Sequence, residues 1–390
     1  MSVLQREWRM LDYIYTKMEY NGKPFYIAAL FCDGEAEELM ADSADSHSRV
    51  GCIYRGVTER ILRGTGGVFV RIGRETAYLP TRTSVLTGEW SNASCPCLVQ
   101  IRKDPAGLKE AVVTEDLSLT GKYAVVFLKK GAPAFSAKLA DERKECIKKW
   151  LRDEDIGTRQ IIIRTNAASC EKADLIAEIR SLTEKLEGIL EASKSASLGK
   201  LLYQPDPYYV TLLRDLKVVP DRCITDIPTA VTALKEVSGD CVFRERPGTQ
   251  MTLAEAYNLP HLLDRLSRRV VWLKNGAFLV IEQTEAFVSV DVNTGKCARG
   301  RIPEETYRAV NLVAAEELAR QLRLRNLSGI ILVDFLKIER EEHKEELFNV
   351  MKKLLRRDRV KCEAVDLTPL GIMEIIRQKQ QKPLAEVLSV

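Results

Sequence analysis

Two aspartates and an asparagine in the last third of the chain have the residue types of a metal site. The segment "FVSVDVNTG" places Asp291 and Asn293 at the end of an apolar run, and the run "SGIILVDF" reaches Asp334. Strand interiors disfavour such side chains, so we expect both aspartates where a strand leaves its sheet. Two carboxylates are hard oxygen ligands, which suit Mg²⁺ with several retained waters. The alternative is that each aspartate only caps the next helix or turn.

The segments around these residues predict that the two carboxylates meet. "GAFLVIEQTEAFVSVDVN" has the pattern of two strands joined by a turn, and residues 303–326 have the period of an amphipathic helix. Strand, helix and strand in this order form a βαβ unit with parallel strands. Asp291 and Asp334 then lie side by side at one sheet edge, where open α/β sheets bind ligands. Asn293 faces the same side as Asp291.

A basic segment, residues 48–115, has the pattern of a small barrel. It contains ten Lys or Arg against six Asp or Glu, and runs such as "VGCIYRGVTERI", "GGVFVRIG" and "CLVQIRK" alternate apolar and polar residues. Phe69 and Tyr78 lie among arginines. In an OB-type barrel they would stack bases in a basic groove that holds single-stranded nucleic acid. The alternative is that Phe69 belongs to the core and the arginines form a solvated face.

Residues 116–199 combine strand and helix patterns. "KYAVVFLKK" and "RQIIIRTNA" have the length of strands, and "CEKADLIAEIRSLTEKLEGILEASKSASLGKLL" has helical periodicity. Arg164 and Thr165 follow the second strand, where a guanidinium and a hydroxyl can hold a terminal phosphate. The alternative is that Arg164 is an ordinary surface residue.

Length and composition limit the class of protein. The 390 residues are too many for one core and predict two or more domains. No apolar run approaches about 18 residues, and the amino terminus lacks a secretory pattern, so we expect a cytoplasmic protein without a membrane segment. The ten cysteines include no CxxC pair, so zinc is not expected. The three histidines form no metal or triad pattern.

Several segments resemble one known family. "TEAFVSVDVNTG", "EELARQLRLRNLSGIILVDF" and "GIMEIIRQK" closely resemble the catalytic region of the ribonuclease E/G family of bacterial endoribonucleases. "IYRGVTERI", "VFVRIG" and "AYLP" are similar to the inserted OB-fold RNA-binding domain of that family, and "LTGKYAVV" with "IIIRT" to its 5′-end sensor. The resemblance covers nearly all of the chain in the same order.

The resemblance implies a multi-domain α/β fold with an inserted all-β OB-fold barrel. A discontinuous RNase H-like subdomain would cover residues 1–47 and 200–265. The OB-fold domain would cover 48–115, the 5′-sensor subdomain 116–199, and a DNase I-like catalytic subdomain 266–390. Sequence periodicity by itself does not indicate that the first subdomain is split.

The resemblance also implies roles for single residues. Asp291 and Asp334 would hold Mg²⁺, for which Mn²⁺ could substitute, and Asn293 would orient the scissile phosphate. The residues that match the 5′-monophosphate pocket are Gly121, Val125, Arg164 and Thr165. The residues that match the RNA contacts of the OB-fold domain are Phe69, Tyr78 and Lys109, with the two aromatics one residue closer than in the usual family pattern.

The implied activity is Mg²⁺-dependent cleavage of single-stranded, A/U-rich RNA in RNA processing or decay, including rRNA processing and mRNA decay. Water would attack, so the products would carry a 5′-phosphate and a 3′-hydroxyl, and 5′-monophosphorylated RNA would be preferred. The alternatives are a non-catalytic single-stranded RNA-binding protein and, with less support, a DNase. No Cys-Pro-x-Cys segment follows "EIIRQK", so the zinc-linked homodimer of the family is not expected, and the sequence names no protein partner.

Overall fold

The structure is a computed structural model of the chain. It describes residues 10–43, 48–62, 66–80, 83–84, 88–89, 94–105, 110–154, 156–244, 251–295, 304–379 and 381–389. The chain divides into two compact units, one of residues 1–47 with 208–390 and one of residues 48–207. Each unit has hydrophobic cores of its own.

The strands of the described residues are β1 (Leu11–Tyr20), β2 (Lys23–Cys32), β3 (Glu35–Ser43), β4 (Ile53–Leu62), β5 (Gly67–Ile72), β6 (Glu75–Leu79), β7 (Thr83–Ser84), β8 (Gly88–Glu89), β9 (Pro96–Lys103), β10 (Ala111–Thr114), β11 (Ser118–Thr120), β12 (Ala124–Lys130), β13 (Ala134–Phe135), β14 (Arg159–Ile163), β15 (Leu201–Tyr203), β16 (Arg222–Thr225), β17 (Val242–Phe243), β18 (Val270–Trp272), β19 (Phe278–Gln283), β20 (Phe287–Asn293), β21 (Gly329–Asp334), β22 (Cys362–Leu367) and β23 (Ile372–Arg377). The α-helices are α1 (Asp141–Asp153), α2 (Lys172–Ser195), α3 (Tyr208–Asp215), α4 (Val231–Ser238), α5 (Leu253–Ala256), α6 (Leu259–Ser267), α7 (Glu304–Leu324), α8 (Glu341–Leu355) and α9 (Leu384–Leu388). Short 3₁₀ helices cover Thr165–Ala168 and Pro228–Ala230.

One sheet of the first unit joins distant parts of the chain. Its strand order is β17-β16-β1-β2-β3, and β1 and β16 run parallel with Asp12 opposite Arg222. Arg222 donates to both carboxylate oxygens of Asp12 at 2.6 Å, and the Tyr257 hydroxyl donates to one of them at 2.7 Å. This ion pair fixes the register at which the chain returns after residues 48–207. The four subdomain boundaries stay a prediction.

The second unit contains a closed five-stranded barrel. β4, β5, β6, β10 and β9 pair in that order, and the pairing of β4 with β9 closes the sheet. β6 and β10 run parallel, whereas the other neighbours run antiparallel. Val68, Val70, Val99 and Ile101 lie in its buried core. The barrel predicted from the alternating runs is therefore present and is consistent with an OB-like fold.

The rest of the second unit is a sheet packed against helices. The strand order is β11-β12-β14-β13, and β12 runs antiparallel to β14. α2 buries one stripe of apolar residues, among them Leu175, Ile179, Leu182 and Leu186, at the spacing that one helix face requires. Ile147 of α1 belongs to the same core. The predicted mixture of strands and helices is confirmed here.

A six-stranded sheet in the first unit carries the two predicted carboxylates. Its order is β18-β19-β20-β21-β23-β22, and β20 and β21 are its parallel pair. α7, which covers most of the predicted helix 303–326, connects these two strands. One face of the sheet packs on α7 and α8 through residues such as Val290, Val333 and Leu318. The predicted βαβ unit is therefore confirmed.

Candidate functional site

Asp291 and Asp334 are direct neighbours on the parallel strands β20 and β21. They are Cα partners in the register, and both side chains are exposed. Val290 and Val333, one residue earlier on each strand, are buried against the helices. Because successive side chains of a strand point to opposite faces, both carboxylates project from the face that α7 and α8 do not cover.

Asn293 lies two residues after Asp291 and is bonded to it. Its Nδ2 donates to Asp291 Oδ2 at 2.7 Å. The chain then turns at Gly295, which has φ +55°, and a Cβ at this glycine would lie 2.3 Å from the Gly276 carbonyl oxygen. Only glycine fits this close approach without displacing the backbone, so Gly295 holds the end of β20 beside the turn between β18 and β19.

Asn311 holds the backbone just after Asp334, a role that no sequence pattern had indicated. It lies on α7 and is fully buried. Its Nδ2 donates to the Leu336 carbonyl at 2.8 Å, and its Oδ1 accepts from the Leu336 N–H at 3.0 Å. Both polar groups of the amide are thereby paired, as burial requires. The one sequence feature that could have pointed to this role is that Asn311 is a polar residue within the apolar stretch "AVNLVAA".

The carboxylate pair fits a hard divalent cation. Two exposed carboxylates lie in register, and Mg²⁺ is commonly bound by one or two carboxylates with water in its remaining positions. Within the described residues, no group of three or more His, Cys, Asp or Glu side chains is placed to hold a metal. Two carboxylates alone would leave the remaining coordination positions of such a cation to water.

The structure brings the predicted 5′-phosphate residues to one end of the sheet β11-β12-β14-β13. Arg164 follows β14, its N–H donates to the Tyr123 carbonyl at 2.7 Å, and its Nη1 donates to the Gly121 carbonyl. Thr165 Oγ1 is 2.9 Å from Ser136 Oγ. Val125 lies on the neighbouring strand, opposite Ile162. The Arg164 guanidinium is thus hydrogen-bonded to the turn that precedes β12.

Glu178 fixes that turn, and no sequence pattern had pointed to it. Its carboxylate accepts three backbone N–H groups, from Lys122 and Tyr123 at 2.7 Å and from Ala124 at 2.9 Å. A Cβ at Gly121 would lie 2.4 Å from the same carboxyl group. Glu178 is more than 50 residues away along the chain, so only the packing of α2 against the sheet reveals the contact.

The two predicted aromatics of the barrel are cross-strand neighbours. Phe69 and Tyr78 are opposite in the register, with ring centroids 5.8 Å apart. The Arg60 guanidinium lies 4.5 Å from the Phe69 ring centroid. Phe69 is only partly buried, and the neighbouring Val68 and Val70 fill the barrel instead. The interpretation of Phe69 as a core residue is therefore wrong.

Gly67 makes room for Tyr78, a role that no sequence pattern had indicated. A Cβ at Gly67 would lie 2.3 Å from the Tyr78 ring. The third predicted RNA contact, Lys109, lies outside the described residues. The barrel surface thus presents a row of Arg60, Phe69 and Tyr78, with a glycine beneath the last ring.

The fold and these sites define a class of protein: multi-domain α/β proteins with an inserted barrel and a carboxylate pair at the ends of parallel strands. The model of the ribonuclease E/G family matches residues 118–380, more than half of the chain. The chain belongs to the ribonuclease E/G family.

Known relatives extend this similarity to nearly the whole chain. Ribonuclease E of Nostoc sp. (strain PCC 7120) is 27% identical over 93% of this chain, which spans 55% of that protein. Ribonuclease G of Salmonella typhimurium and of Escherichia coli K12 are each 28% identical over 94% of this chain and 81% of the relative. The chain thus spans about half the length of the Nostoc relative. None of the described helices has the length and apolar character needed to cross a membrane.

Proposed function

We propose that the chain is an endoribonuclease that cleaves single-stranded RNA with a divalent cation held by Asp291 and Asp334. The register of β20 and β21 carries the proposal, because it places two exposed carboxylates directly opposite each other. Membership of the ribonuclease E/G family and the names of the relatives, ribonuclease E and ribonuclease G, support RNA as the substrate.

The residues around the carboxylates supply binding and orientation. A bound Mg²⁺ would act as a Lewis acid on the phosphate and lower the pKa of a bound water. Asn293 fixes the orientation of Asp291 through its 2.7 Å hydrogen bond. Its amide nitrogen has a second N–H, which suits a phosphate oxygen. Asn311 holds the backbone after Asp334 by its two bonds to Leu336.

Hydrolysis by water determines the products. The ribose 2′-hydroxyl takes no part, so each cut leaves a 5′-phosphate on one fragment and a 3′-hydroxyl on the other. The substrate is unpaired, A/U-rich RNA in processing or decay of transcripts. Phe69 and Tyr78 support the requirement for unpaired RNA, because bases must leave a duplex to stack on aromatic rings.

The end of the RNA is held at the Arg164 pocket, with a 5′-monophosphate preferred. Arg164 and Thr165 would bond the phosphate, and Gly121 and Val125 would line the pocket. The bond from Arg164 to the Gly121 carbonyl supports this role, since it orients a planar guanidinium that matches phosphate geometry. A 5′-triphosphate has more bulk and charge, so we expect it to bind this pocket less well than a 5′-monophosphate.

The decisive experiment is cleavage of a short A/U-rich RNA with a 5′-monophosphate, with Mg²⁺, and with both product ends mapped. We expect the wild type to leave 5′-phosphates, Asp334→Asn to lose activity on the order of 10²–10³-fold, and EDTA to stop turnover. Asp153→Asn, which changes an exposed carboxylate of α1, is the matched control. Cyclic phosphate ends would reject the mechanism. RNA binding that persists in EDTA without any cutting would favour the non-catalytic RNA-binding alternative.

A further inference from the structure

Trp272 and Phe278 form an exposed aromatic pair on the sheet that bears the carboxylates. Trp272 is 63% exposed although it lies in a strand, and the two ring centroids are 5.0 Å apart at an interplanar angle of 52°. A tryptophan with this much exposure leaves a large apolar face in water. The pair therefore has a surface that a planar partner could cover.

The strand register places this pair beside the candidate catalytic residues. Trp272 lies opposite Phe278, and Phe278 lies opposite Asn293. Residues directly opposite on neighbouring strands share a face, so the rings lie on the same face as Asn293, Asp291 and Asp334. Strands lie about 4.8 Å apart, which places β18 about 10 Å from β20, within reach of a nucleotide next to the cleaved bond.

Positive charge lies at the edge of the sheet next to Trp272, around a cavity that α7 also lines. Trp272 adjoins this cavity of about 530 Å³, whose lining includes Arg265 and Arg268. Glu35, an acid in the same lining, is paired with Arg320 at 3.0 Å. Positive charge beside an aromatic surface is the combination that holds single-stranded nucleic acid without reading its sequence.

We propose that Trp272, backed by Phe278, stacks an unpaired base of the RNA next to the scissile phosphate, while Arg265 and Arg268 at the edge of the sheet attract the strand. This role rests on the proposed ribonuclease function. It makes Trp272 a substrate-positioning residue of the catalytic sheet. The stacked base would be held by its ring face, so the contact tolerates any base.

The first test compares cleavage of single-stranded RNA by the wild type, Trp272→Ala and Trp272→Phe. Loss of one stacked base predicts a KM about tenfold higher for the alanine variant, with a smaller effect on kcat and most of the affinity restored by phenylalanine. Val219→Ala is the matched control, because Val219 is 79% exposed and lies outside the strands. An unchanged KM for Trp272→Ala would overturn the proposal. If the oligomeric state of this variant also changed, the aromatic surface would be assigned to protein contact instead.

The second test removes the base instead of the ring. An abasic nucleotide beside the cleaved bond should raise the KM of the wild type about tenfold and leave the KM of Trp272→Ala unchanged. An equal loss in both proteins would overturn the stacking. Binding of the same RNA in EDTA is measured in parallel, so the two proposals can fail separately. A wild type that binds the RNA in EDTA but does not cut it with Mg²⁺ would overturn the ribonuclease function. Equal Kd values for wild type and Trp272→Ala would overturn the stacking.

Discussion

Asp291 lies directly opposite Asp334 on the parallel strands β20 and β21, with both side chains on the face away from α7 and α8. Parallel strands need a crossover, and α7 provides it. The same helix contributes Asn311, which bonds both backbone groups of Leu336. One helix therefore brings the two carboxylates together and fixes the backbone after the second of them.

Asn293 should affect turnover more than folding. Its amide donates to Asp291 Oδ2, and the side chain is only partly buried. We expect Asn293→Ala to reduce kcat on the order of 10²-fold with little change in thermal stability, because it removes the group that orients Asp291. Cleavage kinetics together with thermal unfolding measure both effects. A variant with wild-type kcat would show that Asn293 has no part in the reaction.

Glu178 should control recognition of the 5′ end. Its carboxylate holds three N–H groups of the turn whose Gly121 carbonyl accepts from Arg164. We expect Glu178→Ala, like Arg164→Ala, to reduce the preference for 5′-monophosphate over 5′-hydroxyl RNA about tenfold, the effect of losing one charge-assisted hydrogen bond.

The control for this prediction is Glu184→Ala, which changes an exposed residue of the same helix. The ratio of kcat/KM on the two RNAs is the measurement, and cleavage of the 5′-hydroxyl RNA should stay at the wild-type rate. A preserved ratio in Glu178→Ala would separate the turn from 5′-end recognition.

Gly67→Ala should weaken RNA binding through Tyr78. The added Cβ would lie 2.3 Å from the Tyr78 ring, which must then move away from Phe69. Loss of one stacking surface predicts a Kd about tenfold higher, measured by fluorescence polarisation with single-stranded RNA in EDTA. Gly188→Ala is the control, because nothing lies within 4 Å of its Cβ position. Equal weakening in both variants would contradict the specific role of Gly67.

The ion pair of Asp12 and Arg222 should make stability depend on pH at acid values. The hydrogen bond from Arg222 lowers the pKa of Asp12 and outweighs the opposing effect of burial. A lowered folded-state pKa stabilises the protein above the ordinary carboxyl pKa of about 4, and this contribution is lost as the pH falls through the lowered value.

We therefore expect Asp12→Asn to reduce the free energy of unfolding at pH 7 by about 1–3 kcal/mol, with the difference from wild type shrinking as the pH falls below about 4. Denaturant unfolding at a series of pH values measures it, with Asp153→Asn as the control. The same difference at pH 7 and at strongly acid pH would contradict an electrostatic origin.

The sequence by itself predicted β19, β20, α7 and β21 of the six-stranded sheet and the meeting of Asp291 and Asp334. The helical period of residues 303–326 predicted α7, observed at Glu304–Leu324, because an amphipathic helix must bury one stripe. Once strand, helix and strand are recognised, the βαβ connection makes the two strands parallel, so both end at the same edge of the sheet. Asp291 and Asp334 could therefore be paired before the structure was known.

The sequence was less informative about which side chains are buried and about why a residue belongs to a motif. The near-continuous apolar run of β21 does not indicate which side chains are covered: Ile330 is 51% exposed, because only one face of the sheet packs on helices. Arg377, in the segment "GIMEIIRQK" that resembles the catalytic region, is buried and bonds Asp358 at 2.7 Å and Asn326 at 2.8 Å. Its place in that motif is explained by packing, since a buried guanidinium needs paired acceptors.

Only the tertiary structure decided which distant residues lie at each candidate site. Glu178 reaches the turn of residues 121–124, Asn311 reaches Leu336, and Trp272 lies in one row with Phe278 and Asn293. Periodicity records which face of an element is apolar, but it does not record strand register or the partner of a helix. Those depend on packing between segments far apart in the chain, where one residue of register moves every side chain to the other face.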